Sequence, residues 1–544
     1  MAKLTIDLSG REGLVPMAFG DLDRTISTPN LRYIGSQGQL ASGIFNPFRK
    51  YGYICPANAT FNNVTLSSTP TEKLACSLYD TVNNDYYFGE LGPKLYKGDG
   101  LDDKSLTELG AFGASDDIMD LEIYQINGVK KMFILYKRAG FVEIATSSLP
   151  YDFASDDPIY FTSTVDGSKS TNLGTNNAFM RVSDNGSLYV FYDNEVDEID
   201  GSTLGGTNGT LSTGLLFPKN TLVLDAIDYR GNLYIAIRND SEDLQKDIAN
   251  VFSSNIGIYI WDRVSSVVSS NDYIPVSGLR DIKKILISPD GNLRILGLNS
   301  EQRTIIQDFN GSKFKTVSDC GLLANPIYKD SVAEIPNGTV WVGYDGRIFF
   351  YGKSSFNEKE GIYVIGNISD ITVAAPKVGA ILFGGAEAEA GASTGFKSWR
   401  SGLIISYKNS SNTQVVKQWD MYGTGADGVT AKQLQGDIFT KLEFLPKMST
   451  VKNLMIYFPK ETSVSGTTVE ATIKIYFNQS LTAWASKSIT YDDISKGYID
   501  IDINKPFINS VQLEIEYNTN QSIGISNFTP SFGIMEYEPT NTKG

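Results

Sequence analysis

Three short runs concentrate the carboxylates of this 544-residue sequence: GASDDIMD (113–120), ASDDP (154–158) and YDNEVDEID (192–200). Paired acids can hydrolyse a glycosidic bond, one as general acid and the other as nucleophile or base, if their carboxyl groups stand roughly 5 to 9 Å apart. Spacing along a chain does not set that separation, and each run reads more simply as a solvated turn or strand edge. A sialidase-like site would add arginines to clamp a substrate carboxylate. Arg181, Arg230, Arg238, Arg294 and Arg347 are available, but no spacing marks them as a set.

Other chemistries fail on residue type. The sequence has no histidine, which removes Ser-His-Asp and Cys-His catalysis, His-ligated metals and His-based pH switching. Cys55, Cys76 and Cys320 form no CxxC pair, so buried free thiols are expected, although Cys55 and Cys76 could in principle be bridged. Asp193–Gly201 has oxygen ligands at alternate positions. An EF-hand loop, however, needs glycine where Glu198 stands and a closing glutamate where Leu204 stands. The glycine-rich GSTLGGTNG (201–209) lacks the Gly-Lys-Ser/Thr end of a phosphate loop and reads as a flexible tip. No catalytic set, metal or cofactor is expected, and the chain is expected not to be an enzyme.

A formal charge of −15 without a Lys/Arg block opposes direct nucleic-acid binding. MAKLTIDLSGREG at the start has no apolar secretory core, and VAAPKVGAILFGGAEAEAGA (373–392) is interrupted by Pro376, Lys377, Glu387 and Glu389. The expectation is a soluble protein, without membrane insertion, made in a reducing cytoplasm.

The elements that must carry these residues are strands. LYVFY (188–192), LYIAI (233–237), IGIYIW (256–261), GLIISY (402–407) and IKIYF (473–477) are β-branched and aromatic, and Gly, Asn, Asp or Ser bound them. One helix is predicted at 241–255, where Leu244, Ile248, Val251 and Phe252 share a face behind Ser241.

Several strands share a hairpin preamble, as in VSDNGSLYVFYDN, AIDYRGNLYIAIRN, LISPDGNLRILGLN and EIPNGTVWVGYDG. Turns marked at Asn84, Gly128, Gly186, Gly231, Gly291, Gly338 and Gly379 are spaced by 44, 58, 45, 60, 47 and 41 residues. Four of the spacings match the ~40–50 residues of a four-stranded propeller blade. Stacking such sheets radially buries both faces of each and leaves only short edges. The expected fold is all-β: a seven-bladed β-propeller over residues 51–425, preceded by an extended N-terminal arm (1–50). Unrelated β-sandwich domains are the competing reading. Past the glycine-rich YGTGADGVT (422–430) the strands lengthen and alternate cleanly, as in Tyr498–Ile503 and Val511–Glu516, which predicts a C-terminal β-sandwich over 430–544.

The segment GLVPMAFGDLDRTISTPNLRYIGSQGQLASGIFNPFRKYGYICPAN (13–58) resembles the lead-in of tail- or virion-associated propeller proteins of bacteriophages. That resemblance implies a structural role in the virion, with synthesis in the host bacterial cytoplasm. It also implies other virion proteins as partners and homo-oligomerisation within the particle. Pro29, Pro47 and Pro56 restrict the arm, while Phe45, Phe48, Tyr51 and Tyr53 supply aromatic anchors and Arg49 a polar rim. These are the expected assembly residues, whether the stretch seals the propeller or docks a neighbour. A plain first strand is the alternative for this stretch. For the whole chain the alternatives are a host-receptor or glycan-binding protein of the virion and, behind it, a carboxylate-based glycosidase.

Overall fold

The computed structural model describes most of residues 61–148, then 178–200, 210–239, 255–288, 291–300, 303–324, 434–440, 443–457, 469–496 and 498–519, with short strands at 2–5, 40–44, 53–54, 57–58, 159–160, 340–342, 348–354, 360–366, 377–381, 402–408, 413–420, 525–526 and 531–536. The predicted helix at 241–255, the glycine-rich 422–430 and the turn markers Asn84, Gly128 and Gly338 lie outside the described residues.

Hairpin chemistry sets the local structure. Gly186, Gly231 and Gly291 all have left-handed φ (83°, 83° and 79°), the conformation that glycine adopts without a Cβ penalty. Each turn closes strands that pair antiparallel: Phe179–Val182 with Leu188–Tyr192, Thr221–Tyr229 with Asn232–Asn239, and Asp281–Ile287 with Leu293–Leu298. Gly379 departs from the expected marker. It lies inside the strand Lys377–Ile381, with no Asn or Asp neighbour to favour a turn.

Each hairpin continues as an antiparallel meander. One sheet holds Leu74–Asp80, Asp85–Glu90, Lys94–Asp99 and Ser105–Ala111, with Thr65–Leu66 parallel at its edge. The next are Asp117–Ile126 through Ile159–Tyr160, Phe179–Val182 through Thr210–Leu216, and Thr221–Tyr229 through Tyr273–Pro275. Asp281–Ile287 through Phe314–Ala324 repeats the pattern, and its last strand pairs onward with Ile348–Ser354. Gly402–Lys408 pairs with Gln414–Asp420, whose other neighbour is Phe61–Asn63 from the opposite end of the chain.

Burial explains why the second strands are continuously apolar. Leu188–Tyr192 is buried at every position because both faces of its sheet are covered. Met180, Leu188 and Val190 pack against Phe133 and Leu135 of the preceding sheet. Phe179, Tyr189 and Phe191 face Leu233, Ile235 and Trp261 of the following one. Gly89 shows how closely the sheets approach, since a Cβ there would fall on the Ile118 side chain and beside Cys76 Sγ. Cys76 is a buried free thiol, as expected, so it does not bridge to Cys55.

The C-terminal strands behave differently. In Tyr498–Thr519 the expected alternation holds at first, with Ile499, Ile501 and Ile503 buried and Tyr498, Asp500 and Asp502 exposed. It fails at 511–515, where Gln512 and Glu514 are buried beside Val511, Leu513 and Ile515. Residues 511–517 pair with Val469–Phe477, and from Glu514 onward the strand also pairs with Leu434–Thr440. A short helix, Tyr491–Lys496, which the sequence pattern did not predict, precedes it. Backbone near the start of the chain pairs with backbone near its end. Ala2–Thr5 runs antiparallel to Ser531–Glu536, Leu40–Ile44 to Leu434–Thr440, and Tyr53–Ile54 to Ile525–Ser526. Among the described residues no helix is long and apolar enough to cross a membrane.

Candidate functional site

The first strands of neighbouring sheets lie beside one another, so whatever they carry is brought together from distant parts of the sequence. Four of them share a local irregularity. The pairing register shifts between Leu74 and Cys76, Ile118 and Asp120, Val223 and Asp225, and Ile282 and Lys284. An extra residue of this kind bends a strand and re-aims the side chain that follows it.

Three of the residues that follow these shifts, Asp120, Asp225 and Lys284, form with Arg181 a chain of alternating charge. Arg181 Nη1 stands 3.4 Å from Asp120 Oδ2, and its Nη2 donates to Asp225 Oδ1 at 2.9 Å. Lys284 Nζ lies 3.3 Å from Asp225 Oδ2. The acids also bind backbone of the next sheet. Met180 N–H donates to Asp120 Oδ2 at 2.8 Å, and Ile285 N–H to Asp225 Oδ2 at 2.9 Å. Ser406 does the same at the other end of the chain, accepting from Leu74 N–H at 2.8 Å, and Val64 N–H donates to the Val416 carbonyl at 3.1 Å.

The two acids are tuned apart. Burial pushes Asp225 up, but Lys284, Arg181 and the Ile285 N–H outweigh it and hold its carboxyl below the ordinary value. For Asp120 burial prevails over Arg181 and the Met180 N–H, and its carboxyl titrates higher than usual. Burial also lowers the Lys284 ammonium, against the pull of Asp225. Two carboxylates with divergent proton affinity are a pattern of acid–base catalysis. Here, however, both converge on one guanidinium and each caps a backbone amide. The arrangement neutralises charge and joins sheets.

A second set of ties runs along the turns. Ser183 Oγ donates to Asp228 Oδ1 at 2.7 Å, Asp184 N–H donates to its Oδ2 at 3.0 Å, and Tyr124 Oη donates to the Gly186 carbonyl at 2.7 Å. The other arginines considered for a clamp are engaged separately: Arg238 with Asp281 at 3.2 Å, and Arg294 with Asp308 through bonds of 2.6 and 2.9 Å. Arg230 lies over the Tyr229 ring, and Arg347 is outside the described residues.

The structure redistributes the acidic runs. From GASDDIMD, Asp120 joins the charge chain, while Asp116 binds Arg138 at 2.9 and 3.0 Å. Glu195–Asp200 is a strand paired on both sides, so its carboxylates do not gather as a loop would gather them; Asp197 accepts from Tyr192 Oη at 2.6 Å. ASDDP lies outside the described residues, as do the expected assembly residues Phe45, Phe48, Arg49 and Tyr51. Tyr53 is placed by its backbone alone, opposite Ser526. Among the described residues no group of three or more His, Cys, Asp or Glu is arranged to hold a metal. Sequence reasoning missed Asp225 and Lys284. Their signal is a charged residue two positions after an apolar one at the start of a hairpin preamble, as in Val223-Leu224-Asp225, Ile118-Met119-Asp120 and Ile282-Lys283-Lys284.

Fold and site together define an all-β protein of successive propeller-like sheets joined by buried polar ties. No family model and no curated protein matches the chain. It is similar to the β-propeller domain of Swd1 from Myceliophteria thermophila, at 9% identity and a TM-score of 0.38 over 65% of this chain and 99% of that one. It is also similar to Raptor from Chaetomium thermophilum (10% identity, TM-score 0.40, 66% of this chain and 29% of that one). A third is an exo-β-1,3-galactanase from Phanerochaete chrysosporium solved with β-1,3-galactotriose (11%, 0.31, 88% and 99%). Identities this low transfer no site.

Proposed function

We propose that the chain is a non-enzymatic structural protein of a bacteriophage particle, tail- or virion-associated, whose sheets form a closed seven-bladed propeller. One observation carries the non-enzymatic part: the acids and bases that the leading strands bring together neutralise one another across sheet boundaries. A catalytic pair would have to give up those ties in order to move a proton. Closure is supported by Phe61–Asn63 completing the sheet of Gly402–Lys408 and Gln414–Asp420, which makes the first residues of the ring a strand of its last blade. The virion assignment rests on the lead-in of residues 13–58, and in this reading residues 45–53 dock neighbouring virion proteins.

The experiment has two arms. Purified protein is screened against polysaccharides and esters, and no turnover is expected; depolymerisation abolished by Asp120→Asn or another single acid substitution overturns the reading. In the second arm Phe48→Ala, Arg49→Ala and Tyr51→Ala are combined. The expected result is a folded protein by circular dichroism that no longer enters particles, and normal incorporation removes the docking role.

A further inference from the structure

A loop, 478–484, and the irregularly paired stretch 504–509 inside the strand Tyr498–Thr519 are held together by a single asparagine. Asn478 Nδ2 donates to the Phe507 carbonyl at 3.0 Å, its Oδ1 accepts from Asn509 N–H at 2.8 Å, and its own N–H donates to the Ser510 carbonyl at 3.0 Å. The joined tip concentrates left-handed backbone. Of eight described non-glycine residues with positive φ, four are here: Asn478 (55°), Gln479 (59°), Asn504 (49°) and Phe507 (61°). For a bulky side chain such as Phe507 this conformation is strained, and surrounding contacts must hold it.

The tip spends that strain on display. Leu481, Trp484 and Phe507 are 69%, 38% and 54% exposed. Trp484 is fixed before any ligand arrives. Its backbone N–H donates to the Ile475 carbonyl at 2.7 Å, while the ring itself leans on Phe477 at 5.4 Å and has the Lys505 ammonium 5.3 Å from its centroid. A ring held in this way loses little freedom on binding. Between the apolar side chains stand carboxamides and hydroxyls, in the sequences NQSLTAW and NKPFIN. Neither segment contains Asp or Glu, although the chain as a whole carries a charge of −15.

Exposed, pre-fixed aromatic faces bordered by uncharged donors and acceptors match a ligand that offers apolar C–H faces and many hydroxyls. We infer that the tip formed by residues 478–484 and 504–509 binds a neutral glycan, with Trp484 and Phe507 stacking on sugar rings and Gln479 and Asn504 bonding their hydroxyls. An anionic polymer would meet one cation on a strongly acidic protein, and a cationic partner would find no carboxylate on either segment. This inference is independent of the virion reading, since it concerns binding by the isolated chain.

The test uses the full-length protein in affinity electrophoresis through gels containing dextran, mannan, galactan or mixed-linkage β-glucan, followed by an array of neutral oligosaccharides. At least one neutral glycan is expected to retard the protein, with binding at least tenfold weaker in Trp484→Ala and in Phe507→Ala. Trp484→Phe should retain most of it. Gln479→Ala, at an exposed position, should weaken binding several-fold with an unchanged urea midpoint, and that pair of readings guards against a folding artefact. Absence of retardation by every neutral glycan overturns the inference, as does binding that survives Trp484→Ala and Phe507→Ala together. Salt-sensitive binding to heparin alone, abolished by Lys505→Ala, would show charge capture and overturns it equally.

Discussion

The sheets between residues 65 and 324 and the strands between 434 and 519 are both antiparallel and rich in isoleucine and aromatics, yet they handle charge in opposite ways. In the first region Asp120, Arg181, Asp225 and Lys284 enter the space between sheets and neutralise one another there. In the second, Asp500 and Asp502 alternate with buried isoleucines and leave their charge to water. Glu514, a buried acid of that region, is bonded to Tyr476 Oη and Lys474, but Lys474 also reaches the exposed Glu516. A sheet covered on both faces has to find an ionic partner for each charge it buries, because desolvating an unpaired ion costs several kcal/mol. A sheet with one wet face does not.

Replacing the central cation breaks this comparison most directly. Arg181→Leu leaves Asp120 without its guanidinium and Asp225 with Lys284 alone, at a cost of about 3–5 kcal/mol in urea denaturation. Lys474→Leu, which leaves the buried Glu514 with the Tyr476 hydroxyl and frees the half-exposed Glu516, should cost less, about 1–2 kcal/mol. Equal losses would show that the two regions do not differ in the way argued here.

The acids sharpen the contrast through pH. Asp225 has a lowered folded pKa, so its contribution is present above the ordinary carboxylate range and is lost as pH falls through the lowered value. Asp225→Asn should therefore destabilise by about 2–3 kcal/mol near neutral pH and by progressively less on acidification. Asp120 carries the opposite sign. Its raised pKa means that the folded state holds a proton which the unfolded chain has released, so stability declines as pH rises through the raised value. Asp120→Asn keeps an oxygen for the Met180 N–H and should be neutral or slightly stabilising at neutral pH. Urea titrations of Asp225→Asn at about pH 2 and about pH 7, and of Asp120→Asn at about pH 4 and about pH 7, check the two signs.

Ser406→Ala tests whether the two ends of the chain meet as Phe61–Asn63 and Gln414–Asp420 place them. It strands the buried Leu74 N–H and should cost about 1–2 kcal/mol, with faster amide exchange concentrated at residues 64–74. The smallest effect belongs to the wet face. Asp500→Asn exchanges an exposed carboxylate bonded to Asn453 and should change stability by less than about 0.5 kcal/mol.

Much of the strand inventory was legible because turn chemistry is local. Asn185-Gly186 and Arg230-Gly231 announce hairpins by the backbone angles they tolerate, and the apolar runs after them, such as Leu188–Tyr192, report burial on two faces. The same local logic placed Ile499, Ile501 and Ile503 inside and misread Gln512 and Glu514, because alternation records one wet face and those two positions have none. Gly379 was misplaced for a related reason: glycine marks a turn only where its neighbours also favour one, and here it lies in a strand.

The sequence by itself determined an all-β chain without histidine, with a repeated hairpin unit and with acidic runs too ambiguous to assign. Tertiary structure alone decided which charges meet. Arg181 and Asp225 are 44 positions apart, and Leu74 and Ser406 are 332 apart. No periodicity along the chain encodes such a pairing, because it arises only when leading strands from separate hairpins are stacked side by side, with a one-residue bulge just before Asp120, Asp225 and Lys284. Joining Asn478 to Phe507 and Asn509, and with them the loop of Trp484, is likewise a property of how one strand ends beside an irregular stretch of another.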